Sequence, residues 1–134
     1  MTGNRNTEWY ADPTSYAAMG GDRRFMPIAY ICSPYAGNVD RNTERTRSFC
    51  RIALESGRIP LAPHLLFPQF MNDSDPDERR LALFMDVVLL GKCRELWVLG
   101  DEVTDGMLTE IENAHKRGIP IRWFSEDYEE VTEV

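Results

Sequence analysis

Short apolar runs alternating with helix-period segments predict an α/β fold for this chain: a small Rossmann-like (flavodoxin-like) three-layer sandwich around a parallel sheet of four to five strands. Leu96 to Leu99 form an apolar run that ends in Gly100, the pattern of a buried parallel strand. Thr104 and Asp105 then offer capping oxygens, Met107, Leu108, Ile111 and Ala114 repeat at helical spacing, and Gly118 closes the helix. The next apolar run, Ile119 to Phe124, carries Pro120 near its start, where a missing N–H is tolerated. Right-handed crossovers between such units predict the strand order 2-1-3-4, with a ligand cleft at the carboxyl ends of strands one and three.

Residues 1–24 read as an N-terminal arm. Asp12-Pro13-Thr14 can open a short helix, and Trp9, Tyr10 and Tyr16 suit packing on the domain or on a second subunit. Residues 25–126 form the α/β domain. Its first strand, Pro27 to Cys32, runs into Ser33-Pro34-Tyr35-Ala36-Gly37-Asn38, which reads either as a loop whose N–H groups face a ligand or as a tight turn. A helix follows from Val39 to Ser56 with Phe49, Ile52 and Ala53 inward, and then a short strand from Ile59 to Ala62. Pro63 to Phe70 reads as an apolar loop in which His64 either contacts a ligand or holds the loop by hydrogen bonds. Pro76, preceded by Ser74 and Asp75, starts a helix to about Lys92, whose broad stripe of Leu81, Phe84, Met85, Val88 and Leu89 predicts near burial. Asp86 stands within that stripe, and an unpaired buried carboxylate costs several kcal/mol. It must face solvent, an arginine or a cleft. Residues 127–134 read as an acidic tail, frayed or weakly helical, and just before it Trp123 and Phe124 join the arm's aromatics as candidate self-association residues.

Composition narrows the function. A chain of 134 residues holds one core, and a net charge of −7 argues against nucleic acid or an anionic membrane as partner. The longest apolar run, Leu81 to Leu90, is interrupted by Asp86, and the first 24 residues lack an apolar leader core. Cys32, Cys50 and Cys93 are widely spaced within apolar or helical patterns and read as buried thiols in a reducing cytoplasm. No metal cluster or redox motif stands out, and neither the dinucleotide fingerprint nor the Walker loop is present, so no cofactor is expected.

The strand ends converge on one cleft. Ser33, Tyr35, Gly37 and Asn38 are expected to face Asp105, Gly106, Met107 and Glu110 across it, with His64 and Arg79 on the rim. Glu110 lies about one turn inside its helix, where the helix N-terminus favours a charged carboxylate.

Tyr-Ile-Cys-Ser-Pro-Tyr-Ala-Gly, Gly-Arg-Ile-Pro-Leu-Ala-Pro-His and Leu-Trp-Val-Leu-Gly followed by Asp-Gly-Met-Leu-Thr-Glu together resemble a family of small phage- and plasmid-type domains related to the nucleoside 2-deoxyribosyltransferases. The resemblance covers about Pro27 to Phe124. It implies an enzyme of the N-glycosidic bond of a nucleoside or nucleotide, acting by transfer or hydrolysis, with Glu110 as nucleophile. Asp105 matches the preceding acidic residue, Tyr35 the aromatic that positions the nucleophile, and Asp86 an acid acting on the base. The lonely-guy phosphoribohydrolases start a helix similarly, with Met107 here in place of Thr. Unlike the transferases, Glu110 is followed by Ile111 and Glu112. The resemblance also implies a homo-oligomer. A catalytically silent nucleotide-binding or sensor module is the alternative.

Overall fold

The structure, a computed structural model, describes residues 25–131. In chain order its elements are β1 (Ile28–Cys32), α1 (Val39–Glu55), β2 (Ile59–Leu61), α2 (Pro63–Leu66), a 3-10 turn (Phe67–Gln69), α3 (Pro76–Leu90), β3 (Glu95–Leu99), α4 (Asp105–Arg117), β4 (Ile121–Phe124) and β5 (Glu130–Val131). The sheet order is β2-β1-β3-β4-β5, parallel except for the last strand. The predicted fold class and strand order therefore hold, with one strand added at the edge.

Strand alternation divides the core. Ala29, Ile31, Trp97 and Leu99 point to one face, where Phe49 and Ala53 of α1 cover them together with Phe124. Tyr30, Cys32, Leu96 and Val98 point to the other, under Met107, Ile111 and Ala114 of α4 and Leu90 of α3. Thr104 caps α4 through a bond accepted from the Met107 N–H at 3.3 Å, and Gly118 ends the helix in the left-handed conformation at φ 69°.

Several expectations are corrected. Pro63 to Phe70 is no loop but α2 and its 3-10 turn, because Pro63 sits at the first helical position. The tail is not frayed up to Val131: Ser125 Oγ accepts from the Asp127 and Glu129 N–H groups, the chain reverses at Tyr128, and Arg122 holds Glu130 at 2.7 and 2.8 Å across β4 and β5. Helix α3 is not nearly buried. Only Leu90 is, while Leu81, Phe84 and Val88 are 51%, 65% and 42% exposed, since α3 packs along α4 and, among the described residues, no further layer lies over it. Phe124 is unavailable for association because it stacks on Trp97 in the core at 4.6 Å, whereas Trp123 is partly exposed. Trp9, Tyr10 and Tyr16 lie outside the described residues.

Candidate active site

A cleft of about 340 Å³ opens at the carboxyl end of the sheet. Ser33 and Tyr35 line it from beyond β1, His64 from α2, Arg79 and Asp86 from α3, and Asp105, Gly106, Met107 and Glu110 from α4. Gly37 and Asn38, expected to face the ligand, are not among its lining residues. Gly37 takes φ 93° in the turn, and Asn38 spends its side-chain oxygen as the cap of α1, accepting from the Arg41 N–H at 3.1 Å.

Glu110 is the chemical centre of the wall. It is 8% exposed, and its Oε2 accepts a 2.6 Å hydrogen bond from the Tyr30 hydroxyl. The sequence argument placed that contact on Tyr35. Period-2 alternation decides otherwise: Tyr30 lies inside β1 on the α4 face, while Tyr35 lies beyond the strand and meets the His64 ring edge-on at 5.9 Å. The missed signal was a tyrosine inside an apolar strand, since a buried hydroxyl needs a partner.

Opposing effects set the Glu110 charge. Burial pushes its carboxyl up to about 7, the Tyr30 hydroxyl and Cys32 thiol pull it back, and the Asp86 charge raises it again. Burial lifts Asp86 to about 6, and its Oδ1 is buried without a hydrogen-bond partner among the described residues. Arg79 does not neutralise it there, being paired with Asp73 at 3.3 Å. Near neutral pH these carboxyls can therefore hold and release a proton beside one another.

The opposite wall is a chain of polar groups. Thr46 Oγ1 donates to the Asn42 carbonyl at 2.8 Å, lies 2.7 Å from Ser33 Oγ, and Ser33 in turn lies 3.1 Å from His64 Nε2. With the Thr46 proton committed to Asn42, Ser33 donates to Thr46 and His64 Nε2–H donates to Ser33. Burial lowers His64 to about 4, so the ring is neutral at ordinary pH. Asn42 also clamps the loop by donating to the Tyr35 and Ala36 carbonyls at 3.1 and 3.0 Å. Thr46 was overlooked in the sequence, though its i+4 spacing from Asn42 and its place before Phe49 mark it as inward-facing. Among the described residues no cluster of His, Cys, Asp and Glu is arranged to hold a metal ion.

The chain has a Rossmann-like α/β fold, which it shares with solved structures. It is similar to the solved 2-deoxyribosyltransferase of the psychrotolerant bacterium Bacillus psychrosaccharolyticus, with a TM-score of 0.58 at 16% identity over 79% of this chain and 74% of that one. A conserved protein of Enterococcus faecalis V583 is also similar, with a TM-score of 0.52 at 20% identity over 75% of this chain and 64% of its own. Residues 27–124 match DUF7768, a domain of unknown function, and the chain belongs to that family. A search of curated proteins finds no match.

Proposed function

We propose that this protein breaks the N-glycosidic bond of a nucleoside, transferring the sugar to another base or to water, with Glu110 as nucleophile. The Tyr30–Glu110 hydrogen bond carries the reading, because it fixes one carboxylate oxygen of a residue that lines the cleft. As the C–N bond breaks, its electron pair passes to the base nitrogen, and Glu110 captures the oxocarbenium-like carbon as a glycosyl ester. Asp86, protonated up to about pH 6, supplies the proton that the departing base requires. A second base or a water then attacks the ester and gives its proton to the Asp86 carboxylate, and Glu110 leaves as carboxylate. Tyr35 offers a ring beside the cleft, His64 a neutral imidazole, and Gly106 an open approach to the α4 N-terminus. The name of the Bacillus enzyme supports a nucleoside as the ligand class.

A nucleoside fits better than a nucleotide. Asp73, Glu78, Asp86, Asp105 and Glu110 outnumber Arg79 around the cleft, which disfavours a phosphate. Incubation with a panel of 2′-deoxynucleosides, with and without an acceptor base, should release or exchange base in the parent protein and not in Glu110→Ala. Tight nucleoside binding with no base release would favour the sensing role instead.

A further inference from the structure

We propose that His64 offers its Nδ1 to the ligand as a fixed hydrogen-bond acceptor, so that the cleft selects a nucleobase bearing an exocyclic amino group over one bearing a carbonyl at that place. This rests on a nucleoside being the ligand of the cleft. It holds whether or not Glu110 then breaks the glycosidic bond.

A count of protons fixes the tautomer. The Asn42 carbonyl, Thr46 Oγ1, Ser33 Oγ and His64 Nε2 stand in line, with successive separations of 2.8, 2.7 and 3.1 Å. Each of these contacts needs a proton, and the two hydroxyls supply only two. The carbonyl brings none, so the third proton sits on Nε2. With Nε2 bare, one contact in the line would set lone pair against lone pair. Thr46 Oγ1 also lies 3.5 Å from Nε2, a second acceptor for the same proton. Burial keeps the ring neutral at ordinary pH, so a proton on Nε2 leaves a lone pair on Nδ1.

That lone pair is left for the ligand. Both hydrogen-bonding contacts of the ring go through Nε2, and His64 lines the cleft. Among the described residues, Asp86 Oδ1 is the only buried side-chain polar atom without a partner, so the unpaired Nδ1 is not sealed in the protein. The Tyr35 ring meets the imidazole edge-on at 5.9 Å, and Phe67 and Pro68, about one turn further along the chain, line the cleft as well. Flat apolar groups suit a planar base, while the sugar belongs beside Glu110 on the α4 wall. An amino group on the base edge donates to Nδ1. A carbonyl would oppose its own lone pair to Nδ1 and leave both acceptors unpaired, which a closed site penalises. Thr46 is not among the lining residues; it acts through the ring and is a positioning residue.

Isothermal titration of the full chain with 2′-deoxyadenosine, the unsubstituted purine 2′-deoxyriboside and 2′-deoxyinosine tests the proposal. The parent should bind 2′-deoxyadenosine about tenfold more tightly than either of the others. Thr46→Val frees the Ser33 proton for Nε2 and lets the ring carry its own proton on Nδ1, towards a carbonyl. The advantage over 2′-deoxyinosine should then shrink to about threefold or less. A merely structural Thr46 would weaken all three ligands alike. The imidazole ¹⁵N resonances give a readout without ligand. The chain has 2 histidines, so those of His64 are assigned by their loss in His64→Gln. They should show a protonated Nε2 and a bare Nδ1 in the parent, and both tautomers in Thr46→Val. Preference in binding without base release would refute the Glu110 chemistry and leave this proposal standing. Equal affinity for the three nucleosides, a proton on Nδ1 in the parent, or undiminished discrimination in Thr46→Val would overturn it and leave the Glu110 chemistry standing. Binding of none of them would overturn both. Should Thr46→Val fail to fold, the two measurements on the parent still decide.

Discussion

The role proposed for Glu110 sets two demands against each other: a nucleophile must be charged, and a buried carboxyl resists charge. Its folded value, about 7, stands above the ordinary 4.5. The neutral form is therefore the one that the fold favours. Its stabilising contribution is complete below about 4.5 and is lost as pH rises through about 7. Glu110→Gln keeps an acceptor for Tyr30 and removes the charge. It should stabilise the protein by on the order of 2 kcal/mol at pH 8 and by nothing at pH 4, read from thermal melts at the two values. A variant equally stable with the parent at pH 8 would mean that solvent reaches the carboxylate.

The same balance predicts the pH dependence of base release. With Asp86 near 6 and Glu110 near 7, the pair holding one shared proton is the active form, so kcat/KM should be bell-shaped with its maximum between those values. Asp86→Asn should lose the descending limb. Tyr30→Phe keeps the ring in the core but removes the donor, which raises Glu110 further, so the descending limb should move to higher pH and the maximum should fall. An unmoved limb in Tyr30→Phe would deny the hydroxyl its part in holding Glu110 charged.

At the scale of the element, α4 shows what local sequence can say. Its cap, stripe and terminal glycine were all readable, because each depends on neighbours within one or two turns. Gly106 is part of that signal and also departs from it, since a glycine inside the first turn weakens a helix. A Cβ there would meet nothing within 4 Å, so the protein itself does not require glycine. Gly106→Ala should therefore raise stability by up to about 1 kcal/mol while weakening ligand binding, because the methyl enters the cleft. Equal affinity in the variant would remove Gly106 from the contact surface. Less was readable wherever the answer depended on distant partners. Tyr30 meets Glu110 eighty positions along the chain; its place inside an apolar strand says that its hydroxyl needs a partner, but not which one. The apolar stripe of α3 has the pattern of burial, but what covers it is not encoded in its own spacing. The β5 edge likewise depends on Arg122 reaching Glu130 across a turn whose geometry rests on Ser125 and Tyr128.

At the scale of the whole molecule, charge distribution discriminates between ligands. The chain carries a net −7, and its cleft gathers Asp73, Glu78, Asp86, Asp105 and Glu110 around Arg79. Arg79 is engaged by Asp73, so a phosphate would have to compete for it. The α4 N-terminus attracts anions, but Asp105 and Glu110 already stand there. Isothermal titration with 2′-deoxyadenosine and with its 5′-monophosphate, each at low and high salt, separates these contributions. The nucleoside should bind more tightly, with an affinity nearly independent of salt. The monophosphate should bind more weakly at low salt and approach the nucleoside as salt screens the acidic rim, over a Debye length that falls from about 30 Å at 0.01 M to about 3 Å at 1 M. The opposite order, with the monophosphate tighter at low salt and weakened by added salt, would mean that Arg79 leaves Asp73 and that the cleft is built for a nucleotide.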